Sequence, residues 1–65
     1  MTLIQFIRYS PNGSDATVIA ERITHWYPID YNGRSGTVIV LDTGKEVTVG
    51  EYSFQVEAKI KEAMK

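Results

Sequence analysis

The sequence contains no cysteine and a single histidine. Disulfide staples and thiolate metal sites are therefore excluded, and a histidine-based metal cluster has too few ligands to form. Zero cysteine fits any redox compartment. An excess of positive charge is also missing: the formal net charge is −1. Proteins that neutralise nucleic-acid phosphates normally carry such an excess. No apolar run approaches the ~20 residues needed to cross a bilayer. The opening Met1–Arg8 stretch is too short and too interrupted for a signal peptide. Cytoplasmic localisation is the resulting expectation. The run Gly-Lys-Ser/Thr of a phosphate-binding loop is absent, and so is the aromatic motif of RNA-binding sheets.

What remains is an ordinary globular balance, 43% hydrophobic and 23% charged over 65 residues. That is one small domain spanning residues 1–65. A domain of this size buries only roughly 60% of the surface its unfolded chain exposes. Without disulfide or metal, its stability must come from a well-packed core, a partner, or both.

Four extended segments and one helix follow from the pattern. Leu3–Tyr9 is rich in β-branched and aromatic residues. Ser10-Pro11-Asn12-Gly13-Ser14 has hairpin chemistry. Ala16–Tyr27 reads as one long strand with a bend near Ala20–Arg22, or as two short strands. Pro28 removes a ladder donor, so it ends this strand or places it at an edge. Asp30–Gly36 reads as a turn region. Thr37–Leu41 is apolar on both faces, Asp42–Lys45 is a short loop with Gly44 left-handed, and Glu46–Val49 alternates as a half-exposed strand should. Asp42 is placed to close an Asx-type turn in that loop. After Gly50, the residues Val56, Ile60, Ala63 and Met64 share one helical face. Gly50 or Ser53 is a candidate cap, and Glu51 an acid suited to the helix dipole. The expected fold is α+β: a four-stranded antiparallel β-meander, flat or strongly curled, followed by one C-terminal amphipathic helix (ββββα).

A helix of about 12 residues is roughly 18 Å long and covers one face of a small sheet. The first and third strands are apolar on both faces. The sheet must therefore curl into a partial barrel, or present a second apolar face to another molecule.

The run Thr37-Val38-Ile39-Val40-Leu41-Asp42-Thr43-Gly44-Lys45, continuing to Val49, Glu51, Val56, Lys59 and Ile60, resembles the FlbD/SwrD-like family of small flagellar proteins. Arg8, the Asn12-Gly13 turn and Ile23 also match that pattern. The turn after Arg8 and the Tyr27–Gly36 connection are longer than in the family. The resemblance implies an accessory role in the flagellar motor or its assembly, with no catalytic residues to carry over.

The densest aromatic stretch is Trp26-Tyr27-Pro28-Ile29-Asp30-Tyr31. Trp and Tyr dominate binding hot spots because they bury large area with one polar handle. Adjacent strand residues face opposite ways, so one of Trp26 and Tyr27 points out. Trp26, Tyr27, Tyr31, Arg34 and Tyr9 are the candidate partner-binding residues. His25 has no nucleophile beside it in sequence, and the carboxylates are scattered, so no catalytic set can be assembled. The chain reads as a non-enzymatic protein-binding or structural module. Its expected partner is another protein or a second copy of itself. No cofactor, metal or small-molecule substrate is implied. A small nucleic-acid-binding regulator is the alternative.

Overall fold

A computed structural model describes all residues, Met1–Lys65. Five strands, a 3-10 turn and a helix follow one another: β1 (Leu3–Phe6), β2 (Ala16–Ile19), the turn Ala20–Arg22, β3 (Ile23–Tyr31), β4 (Arg34–Leu41), β5 (Glu46–Val49) and α1 (Ser53–Ala63). The architecture is α+β with antiparallel pairing and a C-terminal helix. It is not a four-stranded meander: β1 pairs with β2 in one sheet, and β3, β4 and β5 form another in that order. The long second strand divides at Ala20–Arg22, where buried Ala20 turns the chain from one sheet into the next.

The β3–β4 ladder is longer than the turn residues suggested. β3 runs through Pro28 to Tyr31, and β4 begins at Arg34. Asn32 and Gly33 alone reverse the chain, at φ 52° and 75°. Two successive positive φ values make a type I′ turn, whose twist matches the flanking strands. Of the two Asn-Gly pairs, only this one forms the two-residue hairpin. Pro28 is tolerated because β3 is an edge strand. Gly44 takes positive φ in the β4–β5 loop, as expected. Asp42 does not close an Asx turn there; its carboxylate pairs with Arg22 at 3.2 Å.

The two sheets share one core. Ile4, Phe6 and Val18 from the first sheet and Ala20 from the turn cluster with Ile39 and Val49 from the second and with Val56 of α1. The sheets are joined where Arg8 bridges Val49 and the Gly50 N–H donates to the Ile7 carbonyl at 2.7 Å. Gly50 is needed at this crossing: a Cβ there would lie 2.3 Å from the Arg8 carbonyl oxygen. The layer is thus curled, and β1 ends at Phe6 rather than Tyr9 because its continuation leaves β2 for β5.

On α1, Val56 is fully buried and Ile60 and Ala63 pack against the core. Met64 does not join them. It is the C-cap residue and lies exposed. The N-cap is Tyr52, neither Gly50 nor Ser53; its N–H donates to Gln55 Oε1 at 3.0 Å. Glu51 precedes the helix and is buried, so it serves the packing described below rather than the helix dipole.

Curling does not cover everything. Leu3 in β1 and Ile7 just beyond it remain exposed. So do Tyr27 and Tyr31 on β3 and the aromatics at the start of α1.

Candidate functional site

The distal end of the β3–β4 hairpin is where exposed aromatic surface concentrates. Tyr31 pairs with Arg34 and Asp30 with Ser35. Successive pairs in a ladder face opposite sides, so the hairpin end separates two grooves.

The first groove holds about 280 Å³ and is lined by Tyr9, Ser10, Pro11, Tyr31, Asn32 and Arg34. Tyr9 and Arg34 fix each other. The Tyr9 hydroxyl donates to the Arg34 carbonyl at 2.8 Å, and the Arg34 guanidinium donates to the Tyr9 carbonyl at 3.1 Å. Gly36 makes this possible, since a Cβ there would sit 2.6 Å from the Tyr9 ring. Arg34 forms no ion pair, and its side chain is exposed.

The second groove holds about 420 Å³ between the hairpin and the start of α1. Pro28, Ile29, Asp30, Ser35 and Gly36 form one side, and Tyr52, Ser53 and Phe54 the other. The Tyr52 and Phe54 rings stack nearly parallel, 8° apart with centroids at 5.7 Å. They are 56% and 70% exposed, against 69% for Tyr31. Ser53 is anchored beneath them, its hydroxyl 3.3 Å from that of buried Thr37. Thr37 also donates to the Glu51 carbonyl at 2.8 Å. The aromatic pair therefore rides on a fixed backbone.

The structure brings Tyr9, Tyr31 and Arg34 together. It does not bring Trp26 or Tyr27 to the same place. A β-bulge between Ile23 and His25 reverses the alternation of β3. Ile23 and Trp26 then both face inward and pack against the core. Tyr27 is the outward residue of the pair. Its ring stacks with His25 at 6.5 Å, and its hydroxyl donates to a Glu46 carboxylate oxygen at 3.3 Å. Local desolvation and then the Glu46 charge push the Tyr27 phenol above its usual 10.0. Tyr52 and Phe54 were missed as candidates. The available signal was Phe54, a large apolar residue off the Val56–Ile60–Ala63 face of the helix.

His25 Nδ1 lies 3.0 Å from the Thr24 hydroxyl. That hydroxyl also lies 3.1 Å from the Val40 carbonyl and donates to it, so its proton is not shared with the imidazole. No three His, Cys, Asp or Glu side chains converge on a point that could hold a metal ion. No helix is long and apolar enough to cross a membrane. No family model, curated protein or solved structure matches the chain.

Proposed function

We propose that this chain is a non-enzymatic protein-binding module whose contact surface is the β3–β4 hairpin end with the aromatics around it. One observation carries the reading: Tyr31, Tyr52 and Phe54, the three most exposed aromatic rings, flank one hairpin whose backbone is held on both sides. Exposed rings on a rigid support bury large area on contact at low entropic cost. The partner is another protein or a second copy of this chain, and Tyr27 with Ile29 extends the surface along the outer face of β3. A cytoplasmic setting fits this reading, and catalysis is no part of it.

The FlbD/SwrD-like resemblance adds an accessory flagellar role as a candidate setting. The residues that carry it favour a shared scaffold more than a shared contact. Val49, Glu51, Val56, Lys59 and Ile60 sit in or against the core, away from both grooves.

The test is direct binding to a purified, identified partner, together with sedimentation of the chain alone over a concentration series. Replacing Tyr31 and Phe54 together with serine is expected to abolish association while leaving the fold intact. Equal affinity of wild type and this variant for the same partner would overturn the assignment of the surface. Association that weakens steeply with salt and requires DNA or RNA would favour the nucleic-acid alternative instead.

A further inference from the structure

The chain has eight acidic side chains, and seven of them have a partner. Asp42, Glu51, Glu57 and Glu62 form ion pairs. Asp15 accepts from the Arg8 N–H, Glu21 from Thr2, and Glu46 from Tyr27. Asp30 alone makes neither an ion pair nor a side-chain hydrogen bond. It lines the second groove, together with the stacked Tyr52 and Phe54 rings.

The geometry points to this groove as a receptor for one cationic side chain, lysine or arginine, of a partner protein. The inference rests on the binding-module reading and names the chemistry of its partner. A carboxylate without a counter-charge and two aromatic π faces both attract a cation, and neither favours an anion. Pro28, on the same face of β3 as Asp30, offers apolar surface to the methylene stem of such a side chain. Ser35 and Ser53 also line the groove. At about 420 Å³ it falls within the roughly 300–1,000 Å³ range of ligand sites.

Two of the chain's own cations are committed elsewhere. Lys59 is bound to Glu51 and to the Gln5 carbonyl. Arg34, on the other face of the hairpin, is held by the Tyr9 carbonyl. The two faces of one hairpin therefore differ in sign: Arg34 beside Tyr9 and Tyr31 on one, Asp30 beside Tyr52 and Phe54 on the other.

The experiment is an amide NMR titration of the full chain with blocked arginine and blocked lysine. Blocked citrulline and blocked norleucine serve as their uncharged counterparts. Shifts confined to Asp30, Ser35 and Tyr52–Phe54 are expected with both cations, with at least fivefold weaker binding of the neutral analogues. Asp30→Asn, which removes a charge that no other group uses, should weaken cation binding by about fivefold to tenfold and leave the thermal midpoint unchanged. Phe54→Leu should weaken it as well, because leucine keeps apolar bulk but has no π face. Absence of binding, equal binding of charged and neutral probes, shifts scattered over the helix glutamates, or an unaffected Asp30→Asn would each overturn the inference. A partner that still binds through Tyr31 and Arg34 in that case leaves the module reading standing. A groove that takes cations while no protein engages the chain would do the reverse.

Discussion

The Lys59 ammonium donates to the Glu51 carboxylate at 2.7 Å, and the same oxygen accepts the Ile7 N–H at 3.0 Å. Lys59 also donates to the Gln5 carbonyl at 2.9 Å and lies 5.4 Å from the centre of the Phe6 ring. One ion pair thus ties the helix to β1 and to the strand that crosses onto β5. Its members are unequal: the Glu51 side chain is 5% exposed and that of Lys59 40%.

That inequality sets the first prediction. Glu51→Ala strips a buried N–H and a half-buried ammonium of their acceptor at once. Breaking a fully buried pair costs about 3–5 kcal/mol. Solvent at Lys59 reduces this, and about 2–3 kcal/mol is expected. Lys59→Met keeps the packed stem and costs less, about 1–2 kcal/mol, because water reaches the carboxylate through the space left by the ammonium. For a chain of this length the total is only about 3–10 kcal/mol. Urea unfolding of the two variants checks the order; a larger loss for Lys59→Met would contradict it.

The two glycines at close crossings make a second prediction. At Gly50 the obstacle to a Cβ is backbone, the Arg8 carbonyl oxygen at 2.3 Å. At Gly36 it is partly a side chain, the Tyr9 ring at 2.6 Å, but also the Val49 carbonyl oxygen at 2.5 Å. Overpacking of this kind costs about 1–3 kcal/mol. Gly50→Ala is expected at the upper end, with loss of amide-exchange protection at Gly50 itself. Gly36→Ala should in addition release Tyr9 from Arg34. Gly13→Ala, whose nearest contact would be 3.4 Å away, serves as the neutral control.

Much of the fold was legible because local chemistry and burial agree over most of the chain. Thr37–Leu41 is apolar on both faces because β4 is the central strand, with Ile39 facing the shared core and Val38 buried on the other side. The helix face failed only at Met64, beyond the last regular turn. Division into two sheets was not legible. The chain changes sheet at Ala20–Arg22, and the sheets are held together where Arg8 pairs with Val49, a contact 41 positions away in sequence that no local pattern encodes. Of the candidate residues, Tyr9, Tyr31 and Arg34 lie together because the Asn32-Gly33 turn sets Arg34 opposite Tyr31 beside Tyr9. Alternation alone does not say which of Trp26 and Tyr27 points outward; the irregularity between Ile23 and His25 is what turns Trp26 inward. Asp30 is distinguished only by what fails to touch it, and that is known only once every other carboxylate has been placed.

A pair of pH effects forms the third prediction. Glu21 accepts from the Thr2 N–H and hydroxyl, both at 2.9 Å, and these contacts hold its carboxyl below the usual 4.5. A lowered folded-state value means stability that is present above about 4.5 and lost as pH falls through the folded-state value. Tyr27 behaves oppositely. Its raised phenol contributes stability below pH 10.0 that is lost as pH rises through its folded-state value. Thermal midpoints across pH should therefore fall less in acid for Glu21→Gln than for wild type. In Glu46→Gln, Tyr27 should titrate closer to 10.0, read by ultraviolet difference absorbance, without returning fully because desolvation persists. No change in either profile would remove the corresponding contact from the account.

Stability and binding should separate at the aromatic residues. Tyr31 and Phe54 leave most of their surface in water, so serine at both positions removes little that folding buries. Surface changes of this kind usually stay within about 0.5 kcal/mol. Trp26 packs against the core, and its replacement by alanine leaves a void there; about 2–3 kcal/mol is expected, below the full cost of a wholly buried ring. Loss of partner capture in Trp26→Ala would thus be ambiguous, since unfolding alone produces it. Tyr27→Ala is also mixed, because that ring lies opposite Val38, which is 7% exposed and stands outside the core cluster that holds Val56. The decisive comparison is Tyr31→Ser with Phe54→Ser against wild type, with urea midpoint and direct binding measured on the same samples. An unchanged midpoint with lost binding places the contact at the hairpin end. A lowered midpoint would mean that the exposed rings support the fold, and the surface would have to be sought at Leu3 and Ile7 instead.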